Sequence, residues 1–459
     1  MNFKLPTLAI LLALAVCACK KKTDDVDTQQ DLIYTWAKEL NAGALTSSQM
    51  VRTDVEGNIY IAGRFEGTAD FQPGAYIHTI TCNGYVDGFL AKYDPTGKLI
   101  FVKKIGGTGY DYVTDMVINE KGNIYITGVF NGKEADMDDG SGTHILNGHG
   151  YEDIFVAAYT SAGDYIFSTD IGNTTTDLPY SIDADAEGNT VITARRTSNL
   201  YIDQTTPGVM LKGMGGYIFK LNASGNFVFV NELACASPFY LSSKIDASGN
   251  IYATGLFYDE TLPTNGQSDN DFYTLIKFNP EGKQVSGLKN DFGSFRYDMM
   301  DMQANGDALI YVVGEDRQNI FLTKYNANGN KSVSKKITAM ATPDTGGVEL
   351  NYVTTDIAGN LYLTGYFKGG ANFGNNKILT SKSPEANEYY IAKYNTDGQC
   401  VYAKKIDVHG DIAIDKNFNV LMSGNIKGTQ DADPGEEVHN LVTCCNINTD
   451  PFIAKYAQK

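Results

Sequence analysis

Short apolar–polar alternations begin near residue 32 and continue to the end of the chain, four in each unit of roughly sixty residues. In the first unit they are Ser48–Asp54 (A), Asn58–Phe65 (B), Asp87–Tyr93 (C) and Leu99–Ile105 (D). Each places apolar side chains at every second position and ends in Gly, Pro, Asn or Asp, which predicts half-buried strands joined by turns. The A–B turn, Asp54-Val55-Glu56-Gly57-Asn58, returns as Asn119-Glu120-Lys121-Gly122-Asn123, Asp185-Ala186-Glu187-Gly188-Asn189, Asp246-Ala247-Ser248-Gly249-Asn250 and Asp356-Ile357-Ala358-Gly359-Asn360. A divergent copy surrounds Asn305-Gly306-Asp307, and Asp415-Lys416-Asn417-Phe418-Asn419 closes the series. A period of this length means a repeat architecture in which the units share one core.

The seventh unit has A, B and C strands (Gly410–Asp415, Asn419–Ile426, Asp450–Tyr456), and the sequence then stops. Its D strand is supplied by residues 32–40, which match Leu99–Ile105 and precede the first A strand. The offset predicts an all-β fold: a closed seven-bladed β-propeller, four antiparallel strands per blade, with the N-terminal strand completing the last blade. An open β array with a frayed end is the alternative. Lys38, Lys103, Lys104, Lys335, Lys336, Lys404 and Lys405 fall on D strands, where lysine protects an unpaired sheet edge.

The Asp-x-x-Gly-Asn-Ile-Tyr-x-x-Gly run, the Phe-x-Ala-Lys-Tyr strand (Phe89–Tyr93, Phe452–Tyr456), Trp36-Ala37-Lys38 and the stretch Gly67 to Gly74, echoed by Asp431 to Gly435, resemble the SBBP-type β-propeller repeats of bacterial surface proteins. The resemblance covers residues 32–459. Phe418 at a turn-glycine position, Ala194 for a strand-B glycine and a short fifth unit depart from the pattern. It implies a propeller at a cell surface and no particular reaction.

Composition adds an address and removes a partner. Glycine (47) and tyrosine (29) fit turns and half-buried strands, and the formal charge of −17 excludes nucleic acid, which needs clustered Lys and Arg. Lys4 and the apolar run Leu8–Val16 form a processing segment shorter than the roughly 20 residues of a membrane span. The run ends in Val16-Cys17-Ala18-Cys19, which resembles a lipobox with Cys19 as the acylated residue. An ordinary secretory signal is the alternative. The expected organisation is a signal peptide at 1–18, a charged disordered tether at 19–31 and the propeller at 32–459. An outer-membrane lipoprotein facing the cell surface is expected, with the periplasmic face as alternative. Cys82, Cys235, Cys400, Cys444 and Cys445 remain after cleavage; they show no CxxC spacing and argue against a zinc–thiolate site. Cys82 and Cys444 or Cys445 fall in neighbouring units and are candidates for a disulfide, free thiols being the alternative.

Long B–C segments (66–86, 131–152, 196–215, 368–388, 427–449) and the D–A connections share one face, where loop length costs little and binding residues commonly sit. The short connection Glu315–Gln318 beside the long Thr338–Leu350 segment suggests a notch. Candidate ligand-stacking aromatics are Tyr110, Tyr112, Phe239, Tyr240, Phe292, Phe295 and Tyr297, with packing between blades as the alternative. Arg52, Asp115, Asp183, Lys244, Asp301 and Asp411 on A strands are expected to face the axial channel. Asp136 and Asp138 before Gly140, and Asp431 with Asp433 before Gly435, are candidate weak calcium ligands; turn formation is the alternative. No other cofactor is expected. Catalytic signatures such as Gly-x-Ser-x-Gly or His-Glu-x-x-His are absent. The reading is a monomeric, non-enzymatic module binding glycan or protein. A structural or adhesive envelope protein comes second, and a channel-site lyase or glycosidase third.

Overall fold

The structure is a computed structural model, described for residues 31–40, 46–72, 78–140, 142–202, 208–258, 272–288, 297–303, 309–315, 318–326, 330–340, 347–443 and 449–459. The expected signal peptide, Cys19 and nearly all of the tether lie outside these residues.

Seven blades of four antiparallel strands form a ring. Predicted and observed strands differ by only a few residues: Thr46–Thr53, Ile59–Phe65, Asp87–Tyr93 and Leu99–Ile105 build the first blade. Each innermost strand contacts the innermost strand of the next blade, and the seventh contacts the first. The ring closes through strand Leu32–Glu39, which runs antiparallel to Asp450–Gln458 with Leu32 opposite Gln458 and Glu39 opposite Phe452. Asp31 and Lys459 add two backbone hydrogen bonds at the far end.

The recurring motif builds a polar cluster around its aspartate. Asp54 Oδ1 accepts the N–H groups of Glu56 and Asn58, and Oδ2 accepts the Asn58 amide at 2.8 Å and the Tyr60 hydroxyl at 2.9 Å. Asp356, Asn360 and Tyr362 repeat these bonds, as do Asp246, Asn250 and Tyr252. The lysine of the Phe-x-Ala-Lys-Tyr strand covers the tyrosine ring: Lys92 lies 5.0 Å from the centroid of Tyr60, and Lys393 lies 5.3 Å from that of Tyr362. Burial pushes the Asp54 carboxyl up, but the bonds from Asn58, Tyr60 and Glu56 outweigh it and hold the group below the usual carboxylate range. The turn glycines have positive φ, 87° at Gly57 and 81° at Gly359, and Phe418 adopts the same left-handed backbone at 63°.

The B–C segments are not plain loops. In blades one, two, three, six and seven each folds back as a short hairpin: Thr68–Asp70 with Thr79–Thr81, Ala135–Asp136 with Ile145–Leu146, Leu200–Ile202 with Val209–Leu211, Gly370–Asn372 with Ile378–Thr380, and Thr429–Asp431 with Asn440–Val442. Several hairpins are anchored by buried residues, Ala69 and Phe71 in the first, Ala135 and Met137 in the second, Ala371 and Phe373 in the sixth. The last C-strand tyrosine reaches the anchor, Tyr93 donating to the Phe71 carbonyl at 2.9 Å and Tyr159 to that of Met137 at 2.5 Å.

Much of the long segment Thr338–Leu350 is strand, not flap. Lys331–Met340 extends the fifth blade and pairs Ala339 with Asn372 of the next hairpin, while Gly347–Thr355 opens the sixth blade. Residues 341–346 and 316–317, the rest of the expected notch, lie outside the described residues. D-strand lysines bridge blades as well as capping edges: Lys38 Nζ donates to the Gly97 carbonyl at 2.7 Å, and Lys335 to that of Asp397 at 2.6 Å. Cys82 and Cys400 are free thiols. Cys444 and Cys445, and so the expected pairing, lie outside the described residues.

Truncation to residue 41 removes the strand that pairs with Asp450–Gln458. At about 1 kcal/mol per net hydrogen bond, before the lost burial of Leu32, the loss is about 5 kcal/mol or more. Urea unfolding of the truncated and full chains measures it, and an unchanged midpoint would contradict the closure.

Candidate functional site

The axial channel brings together the charged residues expected there. An innermost strand pairs on one side only, so the N–H groups of its other edge need partners. Side chains of the preceding blade supply them. Asp411 Oδ2 accepts the Val51 N–H at 3.0 Å, and Asp115 Oδ2 that of Ile182 at 2.9 Å. Asp183 Oδ2 accepts from Ile245 at 2.8 Å, and Asp301 Oδ2 from Thr355 at 2.7 Å. The Ser181 hydroxyl does the same for Ser243 at 2.8 Å.

Two cations tie these carboxylates together. Arg52 reaches Asp411 at 2.5 Å and Asp115 at 3.0 Å, and its Nε donates to the Met116 carbonyl. Lys244 lies 3.4 Å from Asp301 and 3.9 Å from Asp183. Burial opposes the charge on Lys244, but Asp183 and Asp301 outweigh it and its pKa rises. Burial also lifts Asp183 and Asp411, more than their cations lower them. The cavity between them is about 220 Å³, lined by Arg52, Asp115, Lys244, Asp301 and Asp411 among others. Ligand pockets usually start near 300 Å³, so this space suits waters or an ion better than a sugar chain.

The long-loop face carries a second arrangement, which sequence reasoning found only in part. Tyr110 is exposed and its ring stacks on Tyr85, centroids 5.3 Å apart and planes within 7°. Tyr85 and Tyr151 are 70% and 71% exposed. Both follow a glycine and stand two residues before a strand-C aspartate, Gly84-Tyr85-Val86-Asp87 and Gly150-Tyr151-Glu152-Asp153. That echo was the available signal. The glycines are needed because a Cβ at Gly84 would lie 2.5 Å from the Thr108 backbone, and one at Gly150 would lie 1.9 Å from the Asn173 carbonyl. Each loop is zipped to the next D–A connection: Tyr85 and Val86 donate to Gly109, Asp111 donates back to Val86, and Asp177 to Glu152.

Buried aspartates hold these loops from below. Asp87 accepts from Asn83, Asp111 from Gly107 and Asn131, Asp153 from His149 and Gly150, and Asp177 from Asn173. Burial pushes Asp111 up to about 6 and Asp177 up to about 7, with Asp87 and Asp153 as the nearby like charges.

Tyr112 is half-buried beneath Arg64, whose guanidinium lies 5.8 Å from the ring centroid. Only the backbone of Phe239, Tyr240 and Tyr297 is described, and Phe292 and Phe295 lie outside the described residues. The candidate calcium ligands serve their hairpins: Asp136 Oδ1 accepts the N–H groups of Asp138 and His144, and Asp431 Oδ1 those of Asp433 and His439. Asp138 is also bridged by Lys103 at 3.3 Å.

No protein-family model matches the chain. It is 24% identical over 452 residues to an uncharacterized WD repeat-containing protein, L264, of Acanthamoeba polyphaga mimivirus; the alignment covers 86% of this chain and 31% of that protein. The chain thus spans under a third of that relative's length. Among solved structures, a chain of a mitotic checkpoint complex is similar with a TM-score of 0.43 and 9% identity, covering 99% of each. A catalytically inactive virginiamycin B lyase from Staphylococcus aureus, with quinupristin, gives 0.41 and 11%, covering 91% of this chain and 99% of that one. A Dyadobacter fermentans protein of unknown function gives 0.40 and 12%, covering 80% and 98%. The seven-bladed ring and the WD-repeat relative together support a propeller repeat family.

Arg52→Met strands Asp115 and Asp411 and is expected to cost about 3 kcal/mol in urea unfolding. Adding Asp411→Asn recovers part of that loss; strict additivity of the two changes would contradict the coupling. Asp177 gives a pH signature. Its folded pKa lies above its unfolded one, so the native state binds the extra proton and its contribution to stability falls as pH rises from about 4 to 7. Asp177→Asn is expected to flatten that slope in denaturation measured across the window, and a parallel profile would exclude Asp177 as its source.

Proposed function

We propose that the chain is an SBBP-type propeller of a bacterial surface lipoprotein, acylated at Cys19, that binds a glycan or a protein segment through its long-loop face. The propeller fold and the WD-repeat relative support the coarser part, a binding or scaffold module. The observation that supports the long-loop face is a ledge of exposed tyrosines, the stacked pair Tyr85 and Tyr110 with Tyr151 at the equivalent position of the next blade. Flat, solvent-facing rings on loops tied at both ends offer stacking area at little ordering cost. The −17 charge disfavours acidic polymers and leaves neutral or basic ligands. Residues 1–18 act in this reading as the signal, 19–31 as the tether and 32–459 as the propeller.

The axial cavity supports the third reading, a lyase or glycosidase, less well. Its four carboxylates each hold a backbone N–H of the next blade, so they are structural before they are anything else.

Glycan-array and peptide pull-down binding of the lipid-free chain should fall at least tenfold in the Tyr85→Ala/Tyr110→Ala/Tyr151→Ala variant, with unchanged unfolding. Binding that survives this change sinks the ledge as the site. Detergent-phase partitioning of the expressed protein should vanish with Cys19→Ala; a variant that still partitions sinks the anchor.

A further inference from the structure

Asp433, Glu437 and His439 lie on the seventh-blade hairpin with one donor atom each within 4.8 Å of the others. His439 Nε2 is 3.4 Å from Glu437 Oε2 and 3.7 Å from Asp433 Oδ2. Ligands about 2.05 Å from a tetrahedral ion sit about 3.4 Å apart, the edge set by zinc bonds of that length. We infer that these three side chains form a site for a divalent transition metal of the zinc class, with the remaining position open to solvent. Calcium fits less well, because it takes six or more oxygens and imidazole is not among them.

Three features build the site beyond the cluster itself. The Asp433 side chain is nine-tenths buried, at 10% exposure. Its Oδ1 is occupied by the Gly435 N–H at 2.7 Å, while Oδ2 points to His439 and accepts no hydrogen bond among the described residues. The His439 ring is fixed by stacking on Tyr34, centroids 4.0 Å apart and planes within 10°, and the backbone N–H of His439 donates to Asp431. Tyr34 is in turn held by the Ala37 N–H on its hydroxyl.

The second blade shows the same hairpin with the site disarmed. There Asp138 stands where Asp433 stands and His144 stacks on Tyr165 at 3.5 Å as His439 does on Tyr34, but Gly142 stands where Glu437 stands and one ligand is missing. Lys103 of the preceding blade's outer strand neutralises Asp138 and also reaches Asp139. In the sixth blade Lys404 holds the matching strand position, opposite Ile391 as Lys103 is opposite Leu90, but it pairs with Asp31 at 2.7 Å. Among the described residues no lysine pairs with Asp433 or Glu437, and both face the imidazole. A bound ion would brace this hairpin against the closing strand, because His439 rests on Tyr34 and the Val442 N–H donates to Glu39.

The test is calorimetric titration of Zn²⁺ into the lipid-free propeller, residues 31–459, without a polyhistidine tag and with its cysteines alkylated. One equivalent is expected to bind. Glu437→Gln changes a side chain that is 85% exposed, so it leaves the fold intact and should weaken binding at least tenfold. His439→Ala should abolish it, and Tyr34→Leu should weaken it about tenfold through loss of ring orientation. Asp138→Asn in the second blade should change nothing. Co²⁺ should give the visible absorption of a tetrahedral N/O site, lost in His439→Ala. No binding, binding indifferent to Glu437→Gln and His439→Ala, or equal binding of Ca²⁺ would overturn the inference.

Discussion

Every strand edge in this molecule has to be satisfied, and the ring is the arrangement that allows it. Interior edges pair within blades. Outer edges are left largely to water, the fifth blade's being partly paired with Gly370–Asn372, and there the D-strand lysines discourage further strand addition while reaching the next blade's turn or loop, as Lys38 does at Gly97 and Lys335 at Asp397. The innermost edge is the difficult one, because it lines the axial cavity and has no strand beside it. Aspartates at Asp115, Asp183, Asp301 and Asp411 resolve it by accepting the stranded N–H groups of the next blade. The two loose ends of the chain would create one more open edge, and pairing Leu32–Glu39 with Asp450–Gln458 removes it.

The sequence disclosed the parts of this that repeat. Asp54, Gly57, Asn58 and Tyr60 recur at fixed spacing because one carboxylate needs two turn N–H groups, an amide and a hydroxyl. The offset of a single D strand was readable because Leu32–Glu39 copies Leu99–Ile105. What does not repeat was hidden. The axial aspartates were expected to face the channel, but their bonds to the neighbouring blade depend on how adjacent blades sit against each other, which no alternation along one strand encodes. The short hairpins within the B–C segments were missed because two- and three-residue strands carry too few positions to show a period. Their anchors, Ala69 with Phe71 and Ala371 with Phe373, mark them only once burial is known. Tyr85 and Tyr151 belong to a motif present twice, too few copies to stand out from the other tyrosines.

This division of labour bears on where function sits. On the tight-turn side, carboxylates, amides and hydroxyls are spent on the fold. On the opposite side the same chemistry is used to hold loops, and what the loops display is aromatic. Tyr85 and Tyr110 stack on each other because the two loops that carry them are hydrogen-bonded together, so the pair is positioned before any ligand arrives. Preorganisation of that kind lowers the entropy lost on binding, which a flexible crown of long loops would have to supply from contacts.

A net charge of −17 would suggest a diffuse acidic surface, yet the aspartates at issue behave in distinct ways set by their neighbours. Asp54 has donors enough to stay ionised despite burial. Asp177 is lifted by burial and by the like charge of Asp153, with one backbone donor too few to offset them, and its pKa climbs to about 7. Asp138 is neutralised by Lys103, while its counterpart Asp433 faces an imidazole. Two differences set the last pair apart: Glu437 stands where the second blade has Gly142, and Lys404, the counterpart of Lys103, pairs with Asp31 at the start of the closing strand. Closing the ring with the N-terminal segment therefore does more than hide an edge: Asp31 engages Lys404, Tyr34 stacks on His439 and Glu39 accepts the Val442 N–H, so the same segment sets the surroundings of the seventh hairpin.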